Sequence, residues 1–175
     1  AGAMINRLKL EGQKTSADVV VGIDKSFLWR LKKDLDWDGQ TTAFDHAPLA
    51  FVYNSKTVLS PPKSLDDLLS PRFKNKIILQ DPRLSTTGLG FMLWVIKEKG
   101  ETEAWEYLKK LKTQLKLITP SWDLAYGIFK KNPETIVFSY STSPAYHIQE
   151  EKNEDYKAAV FQKGHYEQKE YLAVN

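Results

Sequence analysis

Short apolar runs and segments with helical spacing alternate along most of the chain, and this alternation is the feature that most limits the fold. Runs typical of strands cover residues 17–23, 47–53, 76–80, 115–119, 135–140 and 158–161. Helical spacing covers residues 4–10, 65–69, 88–99, 102–112, 122–131 and 144–151. Asp24 is placed to cap one more helix, which runs to Leu31, and Ser64 is placed to cap the helix 65–69. Strands that alternate with helices predict an α/β fold with a largely parallel central sheet flanked by helices.

The composition narrows the class of protein. The chain has 175 residues, a mean hydropathy of -0.44 and 27% charged residues, which are values typical of a globular protein. Its formal net charge of +3 gives little support to nucleic-acid binding. The absence of cysteine excludes thiol catalysis, Cys-ligated zinc and disulfides. No apolar stretch approaches the roughly 20 residues of a membrane helix, and no signal peptide opens the chain.

The segment 80–90 runs from a predicted strand into a predicted helix, and it contains Ser85 and Thr86. Ligands in open α/β sheets bind beyond the carboxyl ends of strands, where backbone N–H groups at helix N-termini can hold an anion. A phosphate or carboxylate would fit there. A simple helix cap by Ser85 or Thr86 is an equally good reading of the same residues. Gly88 and Gly90 do not form a dinucleotide fingerprint.

Aromatic residues follow two other predicted strands. Trp122 begins a helix after the strand 115–119, and its face is suited to a cationic or heteroaromatic ring. Tyr140 and Tyr146 flank the next strand-to-helix turn, where they would clamp a flat ring between them. The alternatives are ordinary core packing of Trp122 and a buried position of Tyr146 on its helix.

Catalytic and metal-binding patterns are sparse. His46, His147 and His165 are scattered, and none has the spacing of metal ligands. A lone histidine is usually structural or solvated. Aspartates at 34, 36 and 38 provide too few oxygen ligands for a calcium loop. Nothing in the sequence requires catalysis or a cofactor.

Several ordered blocks resemble the thiamine-binding periplasmic proteins of bacterial ABC importers, within the type II periplasmic solute-binding proteins. The blocks are ADVVVGIDKSF, APLAFVYNSK, QDPRLSTTGLGFMLW, SWDLAYGIF, FSYSTSPAYHIQEEK and FQKGHYEQKEY. The resemblance implies a two-lobed, non-enzymatic periplasmic binder that closes on thiamine or its phosphates and delivers it to a membrane permease.

The resemblance also implies roles for individual residues. Ser85 would contact a phosphate or the hydroxyethyl end, Trp122 and Tyr140 would line the thiazolium side, and Tyr146 would stack on the aminopyrimidine. Asp24, in the other lobe, would add a polar contact. The remaining alternatives are a binder of another anion or of an iron(III) complex, and an α/β transferase-type enzyme.

The same resemblance implies a domain organisation. Residues 1–53 would be part of a first lobe with a crossover strand, residues 54–169 a nearly complete second lobe, and residues 170–175 the return crossover strand. Compared with the family, such a chain is an excerpt. We therefore expect weak ligand binding or none by the excerpt, and dimerisation or strand exchange through its exposed lobe remnant.

Overall fold

A computed structural model of the chain describes residues 2–28, 33 and 40–174. The helices are α1 (Gly2–Glu11), α2 (Thr86–Lys99), α3 (Glu101–Lys112), α4 (Trp122–Lys130) and α5 (Ser143–Glu150). The strands are β1 (Val19–Asp24), β2 (Thr41–Asn54), β3 (Ile77–Gln80), β4 (Leu115–Thr119), β5 (Ile136–Tyr140), β6 (Tyr156–Ala158) and β7 (Glu167–Val174). Short 3-10 helices cover Gly12–Lys14, Asp66–Leu69 and Pro71–Phe73. Across these described ranges, no helix is both long enough and apolar enough to span a bilayer.

The chain divides into two compact units. The first comprises Ala1–Ala47 and Glu167–Asn175, and the second comprises Pro48–Tyr166. In the first unit β1 pairs antiparallel with β7, with Val20 opposite Ala173. Asp24 ends β1 and accepts a 2.8 Å hydrogen bond from the Ser26 N–H, so it caps the helical residues 25–28 as predicted. The predicted extension of this helix to residue 31, and the aspartates at 34, 36 and 38, lie outside the described residues. The lobe boundaries stay a prediction.

The second unit contains a helix-flanked central sheet, which confirms the predicted α/β class. Strand β3 pairs in parallel with both β4 and β5. The helices α2 and α3 connect β3 to β4, and α4 connects β4 to β5, which are connections long enough for parallel pairing. The sheet is mixed rather than largely parallel, however, because β2 pairs antiparallel with β5 and β6. The alternation of strands and helices along the sequence does not predict the direction of β2, because its partners β5 and β6 are distant from it in the chain.

Opposite faces of this sheet pack against different helices. Phe51 and Phe138 point into a cluster with residues of α2 and α3, among them Trp94. Val52 and Val137, the sequence neighbours of these phenylalanines, pack on the other face with α4. Successive side chains of a strand point to opposite faces, so continuous apolar runs such as 49–52 and 136–138 are what a sheet covered on both sides requires.

Two local predictions need correction. The segment 65–69 forms a 3-10 helix, Asp66–Leu69, although its predicted cap is present because the Asp67 N–H donates to Ser64 Oγ at 3.1 Å. The strand predicted at 158–161 lies earlier, at Tyr156–Ala158. Phe161 is buried in the core next to Phe51 rather than paired in the ladder, so its hydrophobicity reflects packing.

Candidate functional site

The carboxyl ends of β3, β4 and β5 lie side by side, and we call them the carboxyl edge. Gln80, at the end of β3, is in register with Thr119 at the end of β4. The Gln80 side chain donates from Nε2 to the Phe138 carbonyl of β5 at 2.9 Å. The loops that lead to Ser85, Trp122 and Ser143 therefore leave the sheet at one edge, as expected for parallel strands.

Trp122 and Tyr140 form an aromatic pair at the carboxyl edge. Their ring centroids are 5.9 Å apart and both side chains are half-buried. Trp122 Nε1 donates to Ser139 Oγ at 2.8 Å, and this buried hydroxyl also bonds with Ser143 Oγ. The Trp122 ring also contacts that of Tyr126, with the centroids 5.3 Å apart. The indole is thus held along one side while part of it stays accessible.

Ser85 is the residue before α2, and its hydroxyl turns inward rather than capping the helix. Thr87 Oγ1 donates to Gln80 Oε1 at 3.0 Å, so the Ser85 hydroxyl donates its proton to Thr87 Oγ1 at 2.8 Å. Ser85 Oγ therefore offers lone pairs, not a proton, to an outside group. Thr86 is half-buried in the first turn of α2. The first N–H groups of a helix have no partner within it and favour negative charge.

Close packing of α2 on β3 depends on Gly88. A Cβ atom there would overlap the Gln80 carbonyl group, lying 2.8 Å from its carbon. Only glycine lets the helix start this near to the strand end, so Gly88 sets where Ser85 and Thr86 lie.

Tyr146 and Asp24 each have local contacts within their own unit. Tyr146 is 58% exposed on α5, and its ring packs edge-on against His147 at 5.8 Å. Its role as the second wall of a ring clamp stays a prediction. Asp24 belongs to the first unit, where it is buried and bonds with Ser26.

Sequence reasoning missed a polar cluster that is centred on the buried His147 and contacts Trp122 through Tyr126. His147 is fully buried, with Nε2 at 2.8 Å from Tyr126 Oη and Nδ1 at 2.6 Å from Glu151 Oε2. Lys130 Nζ donates to the other Glu151 oxygen at 2.6 Å. Hydrogen bonds from Lys130 and His147 lower the pKa of Glu151, and burial raises the pKa of Tyr126. The one available signal was the i, i+4 spacing of His147 and Glu151.

This cluster has the hydroxyl–imidazole–carboxylate order of a nucleophilic triad, but not its chemistry. Its hydroxyl is the buried phenol of Tyr126, and burial makes that group a poorer source of a nucleophilic oxyanion. In the described parts of the chain, no group of three or more His, Asp or Glu residues is arranged to hold a metal ion.

Comparison with known proteins identifies the class. A family model for bacterial extracellular solute-binding proteins matches residues 9–174, and the chain belongs to this family. A periplasmic thiamin binding protein of known structure has a similar fold, with a TM-score of 0.89 and 38% identity; the match covers 99% of this chain and 59% of that one. Iron-bound HitA from Pseudomonas aeruginosa, at 20% identity and a TM-score of 0.81, shares the fold; the match covers 99% of this chain and 63% of that one.

Curated relatives add sequence similarity over most of the chain. The thiamine-binding periplasmic protein of Salmonella typhimurium is 40% identical over 98% of this chain, and that of Escherichia coli is 39% identical over the same share. A putative 2-aminoethylphosphonate-binding periplasmic protein of Salmonella paratyphi A is 31% identical over 63% of this chain and 37% of its own length. The chain spans 57% of the length of the two thiamine-binding relatives.

Proposed function

We propose that this protein is the solute-binding component of an ABC importer, that it binds thiamine or a thiamine phosphate, and that it delivers this ligand to a membrane permease. The observation that carries the proposal is the half-buried Trp122–Tyr140 pair beside the N-terminus of α2. Relatives with about 40% identity carry the name thiamine-binding periplasmic protein, which supports the same ligand and a periplasmic location.

The chemistry of the carboxyl edge matches that of thiamine. Thiamine is a flat heteroaromatic cation, and aromatic faces attract such rings through cation–π interactions and stacking. Its tail ends in a hydroxyl group or a phosphate. A hydroxyl tail can donate to the lone pairs of Ser85 Oγ, whereas a phosphate suits the N–H groups in the first turn of α2 around Thr86. In this proposal Tyr146 adds a second ring surface and Asp24 a polar contact.

The proposal includes no chemical step. Binding energy is used to hold the ligand, and the protein needs no resident cofactor. The Tyr126–His147–Glu151 cluster supports the aromatic pair and does not act on the ligand.

Titration calorimetry of the protein at its natural length, with thiamine, thiamine monophosphate and thiamine diphosphate, tests the proposal. Ferric citrate and 2-aminoethylphosphonate serve as comparison ligands, since relatives or structural neighbours carry names with iron or that phosphonate. We expect saturable binding of at least one thiamine compound, much tighter than that of either comparison ligand, and recovery of the ligand unchanged. Preference for a comparison ligand, or conversion of thiamine into a product, would overturn the proposal.

A further inference from the structure

We propose that His147 is a positioning residue, which fixes Tyr126 and through it the orientation of the Trp122 ring. The consequence for ligand affinity rests on the function proposed above. The consequence for the orientation of the Trp122 ring is independent of that function, because the orientation can be measured in the protein without ligand.

Hydrogen bonds at both ring nitrogens fix the orientation of the His147 imidazole. The Glu151 carboxylate only accepts, so His147 Nδ1–H must donate to Glu151 Oε2 across their 2.6 Å contact. The Nε2 atom then faces the Tyr126 hydroxyl, and the two atoms are hydrogen-bonded at 2.8 Å. Lys130 holds the other carboxylate oxygen and keeps Glu151 in place. Every polar atom between the phenol of Tyr126 and the ammonium of Lys130 has a defined partner.

Ring packing removes the remaining freedom of this imidazole. The His147 ring lies nearly parallel to the rings of Tyr126 and Tyr156, at centroid distances of 5.7 and 3.9 Å. His147 has no exposed surface, so its ring cannot turn without displacing these neighbours. A rigid imidazole in turn fixes where the Tyr126 hydroxyl lies.

Tyr126 links the rigid His147 ring to Trp122 at the carboxyl edge. Its ring lies 5.3 Å from that of Trp122, with 34° between the planes. The indole N–H of Trp122 is held independently by Ser139. Three restraints therefore act on the indole: first the hydrogen bond at its nitrogen, second the ring contact with Tyr126, and third the ring contact with Tyr140. A binding surface that is already ordered loses less entropy when a ligand arrives, so weakening the second restraint should weaken binding.

The principal test removes one oxygen atom. Tyr126→Phe deletes the hydroxyl that bonds to His147 and keeps the ring, and His147→Gln retains a polar side chain at the other end of the bond. Tyr107→Phe is the matched control, because the Tyr107 hydroxyl is also buried and donates to the Leu65 carbonyl at 2.6 Å, within the core cluster of α3. The Trp122 signal is the near-ultraviolet circular dichroism difference between a protein and its Trp122→Phe derivative, measured without ligand.

We expect Tyr126→Phe and His147→Gln to reduce the Trp122 signal and Tyr107→Phe to leave it unchanged. We expect Tyr126→Phe to weaken thiamine binding about threefold to tenfold, the range of one lost buried hydrogen bond. In a Trp122→Ala background the same change should have no further effect on affinity, because the effect acts through Trp122.

An unchanged Trp122 signal in Tyr126→Phe would overturn the proposal, and so would an equal loss in Tyr107→Phe or an undiminished effect in the Trp122→Ala background. Tyr126→Phe decides the matter if His147→Gln does not fold. If the unaltered protein binds no thiamine, the proposed function fails, and the signal measured without ligand still decides whether His147 positions Trp122.

Discussion

Trp122 and Ser139 are joined by a 2.8 Å hydrogen bond from the indole nitrogen to the serine hydroxyl. The bond links the first residue of α4 to the next-to-last residue of β5. Ser139 is fully buried, so this contact anchors the polar end of a large side chain inside the protein while the rest of the ring stays near the surface. An anchored aromatic face at a strand end is a natural docking surface for a flat ligand.

Replacing Trp122 with alanine should weaken thiamine binding by about 1 to 3 kcal/mol, the range for loss of a ring that stacks on a cation. Titration calorimetry on the folded variant measures this change. Trp105→Ala is the matched control, because Trp105 is a half-exposed tryptophan of α3, outside the carboxyl edge. Unaltered affinity in the Trp122 variant would remove this residue from the binding surface.

Replacing Tyr146 with alanine tests the second ring surface. Tyr146 is largely exposed and borders the buried His147, so we expect a folded protein with thiamine affinity reduced by about 1 to 3 kcal/mol. Fluorescence titration of the variant gives the affinity. Ile148→Ala, on the same helix and also exposed, is the control. Equal affinities for the Tyr146 variant and the unaltered protein would exclude the clamp.

Two glycine substitutions should change stability in opposite directions. Gly88→Ala places a methyl group against the Gln80 carbonyl and should lower the free energy of unfolding by about 1 to 3 kcal/mol. Gly127→Ala, within α4, meets no atom within 4 Å and should raise it by about 0.5 to 1 kcal/mol through helix propensity. Urea denaturation measures both. A stabilised Gly88 variant would show that α2 does not need this close approach.

Asp81 should titrate well below an ordinary aspartate. Hydrogen bonds from the side chain and the backbone N–H of Arg83 lower the pKa of Asp81 from 3.8 to about 2. Since the folded-state pKa is depressed, the ionised carboxylate stabilises the fold above pH 3.8, and this stabilisation is lost as the pH falls from 3.8 through about 2.

Carbon-13 NMR of the Asp81 carboxyl group follows this titration. Arg83→Gln should shift the pKa of Asp81 upward toward 3.8, although the backbone N–H bond remains. A pKa that stays near 2 in this variant would assign the shift to other groups.

Local features of the sequence were enough to predict much of the second unit. The apolar run that forms β3 and the helical spacing of α2 and α3 can be recognised from neighbouring residues alone. Their patterns follow from the local backbone conformation and from which side chains are buried. The nearness of Trp122 and Tyr140 also followed, because parallel neighbouring strands end at one edge.

Other features depend on partners distant in sequence and were not predictable. The antiparallel direction of β2 is set by β5 and β6, more than 80 residues further along the chain. The inward turn of the Ser85 hydroxyl depends on Gln80 and Thr87 together. The burial of His147 requires Tyr126 and Tyr156 from two separate elements, so a scattered histidine in the sequence becomes the centre of a cluster.

The most direct test of the account is the indole N–H region of a proton–nitrogen NMR spectrum, recorded during titration with thiamine. The protein has five tryptophans, and the Trp122 signal is assigned as the one absent from Trp122→Phe. We predict that this signal shifts progressively to saturation, while those of Trp94, buried in the core, and of Trp105 on α3 remain in place. Saturable thiamine binding that leaves the Trp122 signal unmoved would contradict the account.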